Sequence, residues 1–183
     1  MGYDMYIEEP DEDLRPEHQR LHEILYGNDG LYARRNKGEA GVELVIETTR
    51  RSYDELDNHF YFRLNISGMV QCRKLMAQRG MIFEGTERPW PLREEFPTDE
   101  DYKRACDAHR DAADGDQPGI PVHKLSSNDG WLVTPIECMG ALKVWDSLGE
   151  KDLPTLGREP VVWWPEWLEF LEEAAEHGGF RVW

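Results

Sequence analysis

Phe60, Phe62, Leu64 and Ile66 alternate with Tyr61, Arg63 and Asn65. A period of two is the pleat of a β-strand, so this stretch predicts a strand with one apolar and one polar face. Such a strand needs partners at its edges and a cover over its apolar face. The next residues supply a cover. Ser67-Gly68 turns the chain, and Met69, Cys72, Leu75 and Met76 then recur at helical spacing up to a stop at Gly80.

Other segments supply the partners. Tyr3, Met5 and Ile7 alternate with Asp4, Tyr6 and Glu8, which predicts a short half-buried strand. Val42, Leu44 and Ile46 alternate with Glu43, Val45 and Glu47 and read as a further strand, preceded by a loop over residues 31–41. Trp131-Leu132-Val133 is a short strand after the turn cluster Ser126-Ser127-Asn128-Asp129-Gly130. Phe180-Arg181-Val182-Trp183 is a final one.

Helices are expected from Pro16 to Gly27 (His18, Leu21, His22 and Leu25 on one face), after Ser67-Gly68, from Thr98 with Cys106 and His109 in its stripe, after Thr134, and after Pro165. Thr134-Pro135-Ile136-Glu137 is a capping box with proline at the first helical position. In the last helix Trp167, Leu168 and Leu171 face inward, and Glu166, Glu169, Glu172, Glu173 and Glu176 face out. Residues 84–97 read as a long loop, and Asp114 to Gly119 as an exposed connection. No phosphate loop follows a strand. The expectation is a single α+β domain over residues 1–183, with a mixed or mainly antiparallel sheet and four to five helices packed on it.

Charge narrows the function classes. The net charge is −16. Acids dominate residues 1–60, 91–120 and the last helix, and residues 61–90 are mildly basic. A field of this sign repels phosphate backbones and attracts basic proteins, so a basic protein partner is expected and non-specific nucleic-acid binding is not. Solubility alone also accounts for the charge. No apolar run is long enough to span a membrane. The amino-terminal residues lack a secretory pattern, and three widely spaced cysteines do not make a disulfide scaffold, so a reducing cytoplasm is expected.

Three groups of residues are candidates for chemistry. Arg63 and Asn65 share the polar strand face, and His123, Asn128, Asp129 and Trp131 form the densest polar and aromatic segment. If the 61–65 strand and the 123–131 loop share a pocket, they would bind a small molecule, with Trp131 as its wall. Trp163 and Trp164 cannot easily both be buried ahead of a helix, so one is a candidate partner anchor, together with Glu169 and Glu173 on the acidic face. His18 and His22, four apart, could share a metal, although Glu23 follows the second histidine rather than the first, unlike the metalloprotease pattern. Each has a plain structural alternative: a solvated sheet face, a self-bonded turn, an aromatic core, and two half-exposed histidines. No catalytic or cofactor motif is present, and no cofactor is expected.

Met1-Gly2-Tyr3-Asp4-Met5, Tyr61-Phe62-Arg63-Leu64-Asn65, the stretch from Leu125 to Pro135 and the ending His177-Gly178-Gly179-Phe180-Arg181-Val182-Trp183 resemble an uncharacterised family of small proteins from actinobacteria and their phages. No activity is assigned in that family, so the resemblance implies no role for any position. The leading expectation is a non-enzymatic acidic interaction protein of inhibitor, immunity or phage-accessory type.

Overall fold

The computed structural model describes residues 2–86, 88–114, 117–149, 153–156 and 158–183. The chain is an α+β fold built on a four-stranded antiparallel sheet. Its strands are β1 (Gly2–Ile7), β2 (Tyr61–Asn65), β5 (Trp131–Val133) and β8 (Phe180–Val182), in the order β2-β1-β8-β5. Two minor pairs accompany it: β3 (Ile82–Phe83) with β4 (Ile120–Pro121), parallel, and β6 (Thr155–Leu156) with β7 (Glu159–Pro160), antiparallel.

The helices are α1 (Arg15–Tyr26), α2 (Leu31–Asn36), α3 (Val42–Asp57), α4 (Ile66–Gln78), α5 (Asp99–Asp111), α6 (Pro135–Ser147) and α7 (Trp164–Glu176). α2 and α3 join the five expected ones. Among the described residues no helix is long and apolar enough to cross a membrane.

The strand expected at Val42, Leu44 and Ile46 is instead the first turns of α3. The burial pattern gives the reason. Val42 and Ile46 are buried while Leu44 is 73% exposed, which suits a period near 3.6 and not a period of two. The stripe continues through half-buried Thr49, Tyr53 and Leu56, and no glycine or proline interrupts the 16 residues. Six residues of alternation fit either period, and the long uninterrupted segment favours the helix. The loop expected over residues 31–41 likewise contains α2.

The main core lies on one face of the sheet. Met5, Phe62, Leu64, Val133, Phe180 and Val182 meet Met69, Cys72 and Met76 of α4, Cys138 and Ala141 of α6, and Trp164, Trp167 and Phe170 of α7. The Phe62 ring lies 5.5 Å from both Trp167 and Phe170. Burying each large side chain here contributes roughly 1.5–3 kcal/mol. α1, α2 and α3 form a second, smaller core of Leu25, Leu31, Val42 and Ile46, flanked by Tyr32 and Tyr53. It meets the main body where α3 runs into β2. There Asn58 Nδ2 donates to the Glu166 carbonyl at 3.2 Å, and the His18 ring sits between Tyr53 and Phe60.

Local signals set several element ends. The Thr134 hydroxyl accepts from Glu137 N at 3.4 Å, and Glu137 Oε2 accepts from Thr134 N at 2.8 Å, closing the expected capping box. Asn65 Oδ1 accepts from Gly68 N at 2.7 Å and caps α4. The expected exposed connection after α5 lies partly outside the described residues, at Gly115 and Asp116. Asp114 itself is buried, and its Oδ2 accepts from Thr86 N at 2.6 Å.

Candidate functional site: an acidic groove on the open edge of the sheet

The expected pocket shared by the 61–65 strand and the 123–131 loop does not form among the described residues. Arg63 and Asn65 belong to β2, and Trp131 begins β5. The order β2-β1-β8-β5 places these strands at opposite edges, three inter-strand spacings apart, or about 14 Å. The two groups therefore line different cavities.

On the β5 side the cavity is ≈ 10 Å³, bounded by His109, His123, Asp114, Arg88 and Trp131. It has room for about one water molecule. His109 packs on Trp90 and Trp131, with ring centroids 4.5 and 5.1 Å away, and its buried Nε2 has no hydrogen-bond partner among the described residues. Burial, and then Arg88 and Arg110, push its pKa below the usual histidine range. Trp131 lines this small cavity rather than a pocket shared with β2. Asn128 and Asp129 do not reach the cavity: Asn128 Nδ2 donates to the Gly2 carbonyl at 2.7 Å, and the Asp129 carbonyl accepts from Arg110 Nε at 2.6 Å.

On the β2 side the opening is much larger. A cleft of ≈ 1320 Å³ lies between α3 and α7 with Tyr61, Phe62 and Arg63 of β2 among its lining residues. A second hollow of ≈ 320 Å³ continues along β2 to Asn65 and is bounded by Trp163 and Glu166. A third, ≈ 310 Å³, runs between the end of α3 and the acidic face of α7. Leu44 adds an exposed apolar surface to the large cleft.

The charges in this groove are unevenly matched. Glu43 lies 3.9 Å from Arg35, Asp54 lies 3.4 Å from Arg50, and Asp57 Oδ1 is 2.8 Å from His18 Nε2. Glu173 was expected to face out without a base. Its Oε1 instead lies 2.9 Å from His59 Nδ1 and 3.1 Å from His177 Nε2. Six exposed carboxylates are left with no ion pair among the described residues: Glu47, Glu55, Glu166, Glu169, Glu172 and Glu176. Of the groove's arginines, Arg51 is likewise unpaired, and Arg63 lies 3.4 Å from Asp4.

The other candidates have structural placements. Trp164 is fully buried, and Trp163 is half-buried where it bounds the second hollow. His18 is engaged with Asp57, while His22 is exposed against Tyr26 and Tyr53. Among the described residues no group of three or more histidine, cysteine or acidic side chains is arranged to hold a metal ion. Sequence reasoning missed Glu47 because residues 42–47 read as a strand, and Glu55 because no element was assigned between that strand and Phe60. The spacing Val42, Ile46, Thr49, Tyr53, Leu56 is the signal that finds them. Comparison of the chain with protein-family models, with curated proteins and with solved structures finds no match.

Proposed function

We propose that this is a non-enzymatic binding protein, of inhibitor, immunity or phage-accessory type, whose groove between α3 and α7 receives a basic segment of a partner protein. One observation carries the reading: six exposed carboxylates without counter-ions among the described residues face a groove that also offers the apolar side chain of Leu44. Like charges so arranged repel one another in the free protein. A lysine- or arginine-bearing segment relieves that repulsion, and its apolar residues cover Leu44. Steering by the −16 net charge would speed association with such a partner. A reducing cytoplasm suits the three buried, unpaired cysteines.

The test is the affinity of a ten-residue oligolysine for the whole chain, measured by calorimetry as salt is raised. The wild type is expected to bind with an affinity that falls steeply with salt. A variant carrying Glu55→Gln, Glu169→Gln, Glu172→Gln and Glu176→Gln is expected to bind at least about tenfold more weakly, roughly 1.4 kcal/mol. Equal affinity of the two proteins, or insensitivity to salt, refutes the reading.

A further inference from the structure

The two outer edges of the sheet are finished differently. At β5 the outward carbonyl of Leu132 accepts from Lys124 Nζ at 2.7 Å, and α5 packs beside the strand. At β2 the backbone groups face the groove. The alternation of hydrogen bonds across β1 shows which ones. Asp4 exchanges both backbone bonds with Trp183, each 2.8 Å, so Asp4 faces away from β2. Its neighbours Tyr3, Met5 and Ile7 therefore face β2, and Ile7 N–H donates to the Phe60 carbonyl at 3.0 Å. Phe60, Phe62 and Leu64 use their groups inward, which leaves the N–H and C=O of Tyr61 and Arg63 directed out of the sheet. No backbone or side-chain partner meets them among the described residues. β2 also has no proline to block a further strand.

We infer that the basic segment binds as an added β-strand, pairing with the open edge of β2 through the backbone of Tyr61 and Arg63. This rests on the acidic-groove reading and states the conformation and sequence pattern the groove selects. Side chains of an added strand alternate between the two faces of the sheet. One face is the side where Phe62 packs on α7, and α7 contributes Glu166 and Glu169 to the wall. Cations at every second position would meet these carboxylates, while the intervening residues lie on the Tyr61 and Arg63 side. The occupant is thus an extended segment of a partner protein with lysine or arginine at alternate positions and strand-forming residues between them.

The experiment compares two ten-residue peptides on the whole chain, one alternating lysine with valine and one alternating lysine with proline. They carry the same charge, and only the first can form a strand. The lysine–valine peptide is expected to bind at least about tenfold more tightly, since each added backbone bond contributes roughly two- to tenfold. It should also slow hydrogen exchange at the Tyr61 and Arg63 amides. Arg63→Pro removes an outward N–H and leaves the bonds to β1, so it should abolish the preference, while Arg63→Ala should retain it. If Arg63→Pro fails to fold, the peptide pair and the exchange data still decide. Equal binding of both peptides, lost in Glu166→Gln/Glu169→Gln, overturns strand addition and leaves the acidic groove standing. Exchange protection elsewhere than β2 also overturns it. Binding of neither peptide overturns both readings.

Discussion

Lys124 is fully buried, and its ammonium sits between the Leu132 carbonyl, 2.7 Å away, and the Glu137 carboxylate, whose oxygens lie 2.8 and 2.9 Å away. Glu137 is itself only 7% exposed and also accepts from Thr134 N at the start of α6. Lys124→Met retains the length of the side chain and removes its charge. It leaves a buried carboxylate without a counter-ion and the Leu132 carbonyl without its donor. Breaking a buried pair from one side costs about 3–5 kcal/mol, and for a chain of this size that lowers Tm by roughly 10 °C. Lys124→Met/Glu137→Gln removes both charges and keeps an amide oxygen for the capping box. The double variant should therefore lose only about 1–2 kcal/mol, less than Lys124→Met alone, because no uncompensated charge remains. Urea unfolding of the wild type, both single variants and the double variant gives the coupling energy directly. A loss under about 1 kcal/mol for Lys124→Met, or losses that simply add, would refute the account of this pair as mutually dependent.

Other perturbations give equally definite outcomes. His109 has a folded-state pKa below its unfolded value, so the folded state favours the neutral ring. Its contribution is complete above the unfolded pKa, roughly 6.5, and declines as pH falls from there through the lower folded value. His109→Phe should flatten the pH dependence of unfolding free energy in that window, and an unchanged slope between pH 5 and 7 would count against it. Gly130 has φ = +79° and an added Cβ would come within 2.5 Å of the Trp183 ring, so Gly130→Ala should cost at least about 1–2 kcal/mol, read by thermal unfolding. Glu172→Gln removes a like-charge i,i+4 pairing with Glu176 and should raise stability by about 0.2–0.5 kcal/mol while weakening oligolysine binding. Cys72 and Cys138 are fully buried and burial raises both thiol pKa values, so iodoacetamide at pH 8 should label them only after unfolding, as mass spectrometry would show.

The acidic groove was legible in fragments. The glutamates of α7 stand out in the sequence, but their counterparts on α3 do not, because Val42, Leu44 and Ile46 alternate over a window too short to separate the two periods. Pairing was legible only in part: Glu173 has His177 four residues on, but its contact with His59, more than 100 residues away along the chain, is set by the fold. Arg63, Asn65, His123 and Trp131 carry the right chemistry for a pocket, yet nothing local states that the sheet holds them at opposite edges.

The sequence by itself determined what is set by neighbours along the chain. Alternation marked β1 and β2 and the faces they bury, and the turn residues before Trp131 and Phe180 marked β5 and β8. Thr134, Pro135 and Glu137 marked the start of α6, and Gly80 the end of α4. These follow from dihedral preference, hydrogen bonding within a turn and the period of apolar residues. The tertiary structure alone decided that the strand order is β2-β1-β8-β5, and that Lys124 closes one edge while the other stays open among the described residues. Strand order depends on which distant segments bury the most apolar surface together, and a period of two names the buried face of a strand without naming its neighbour.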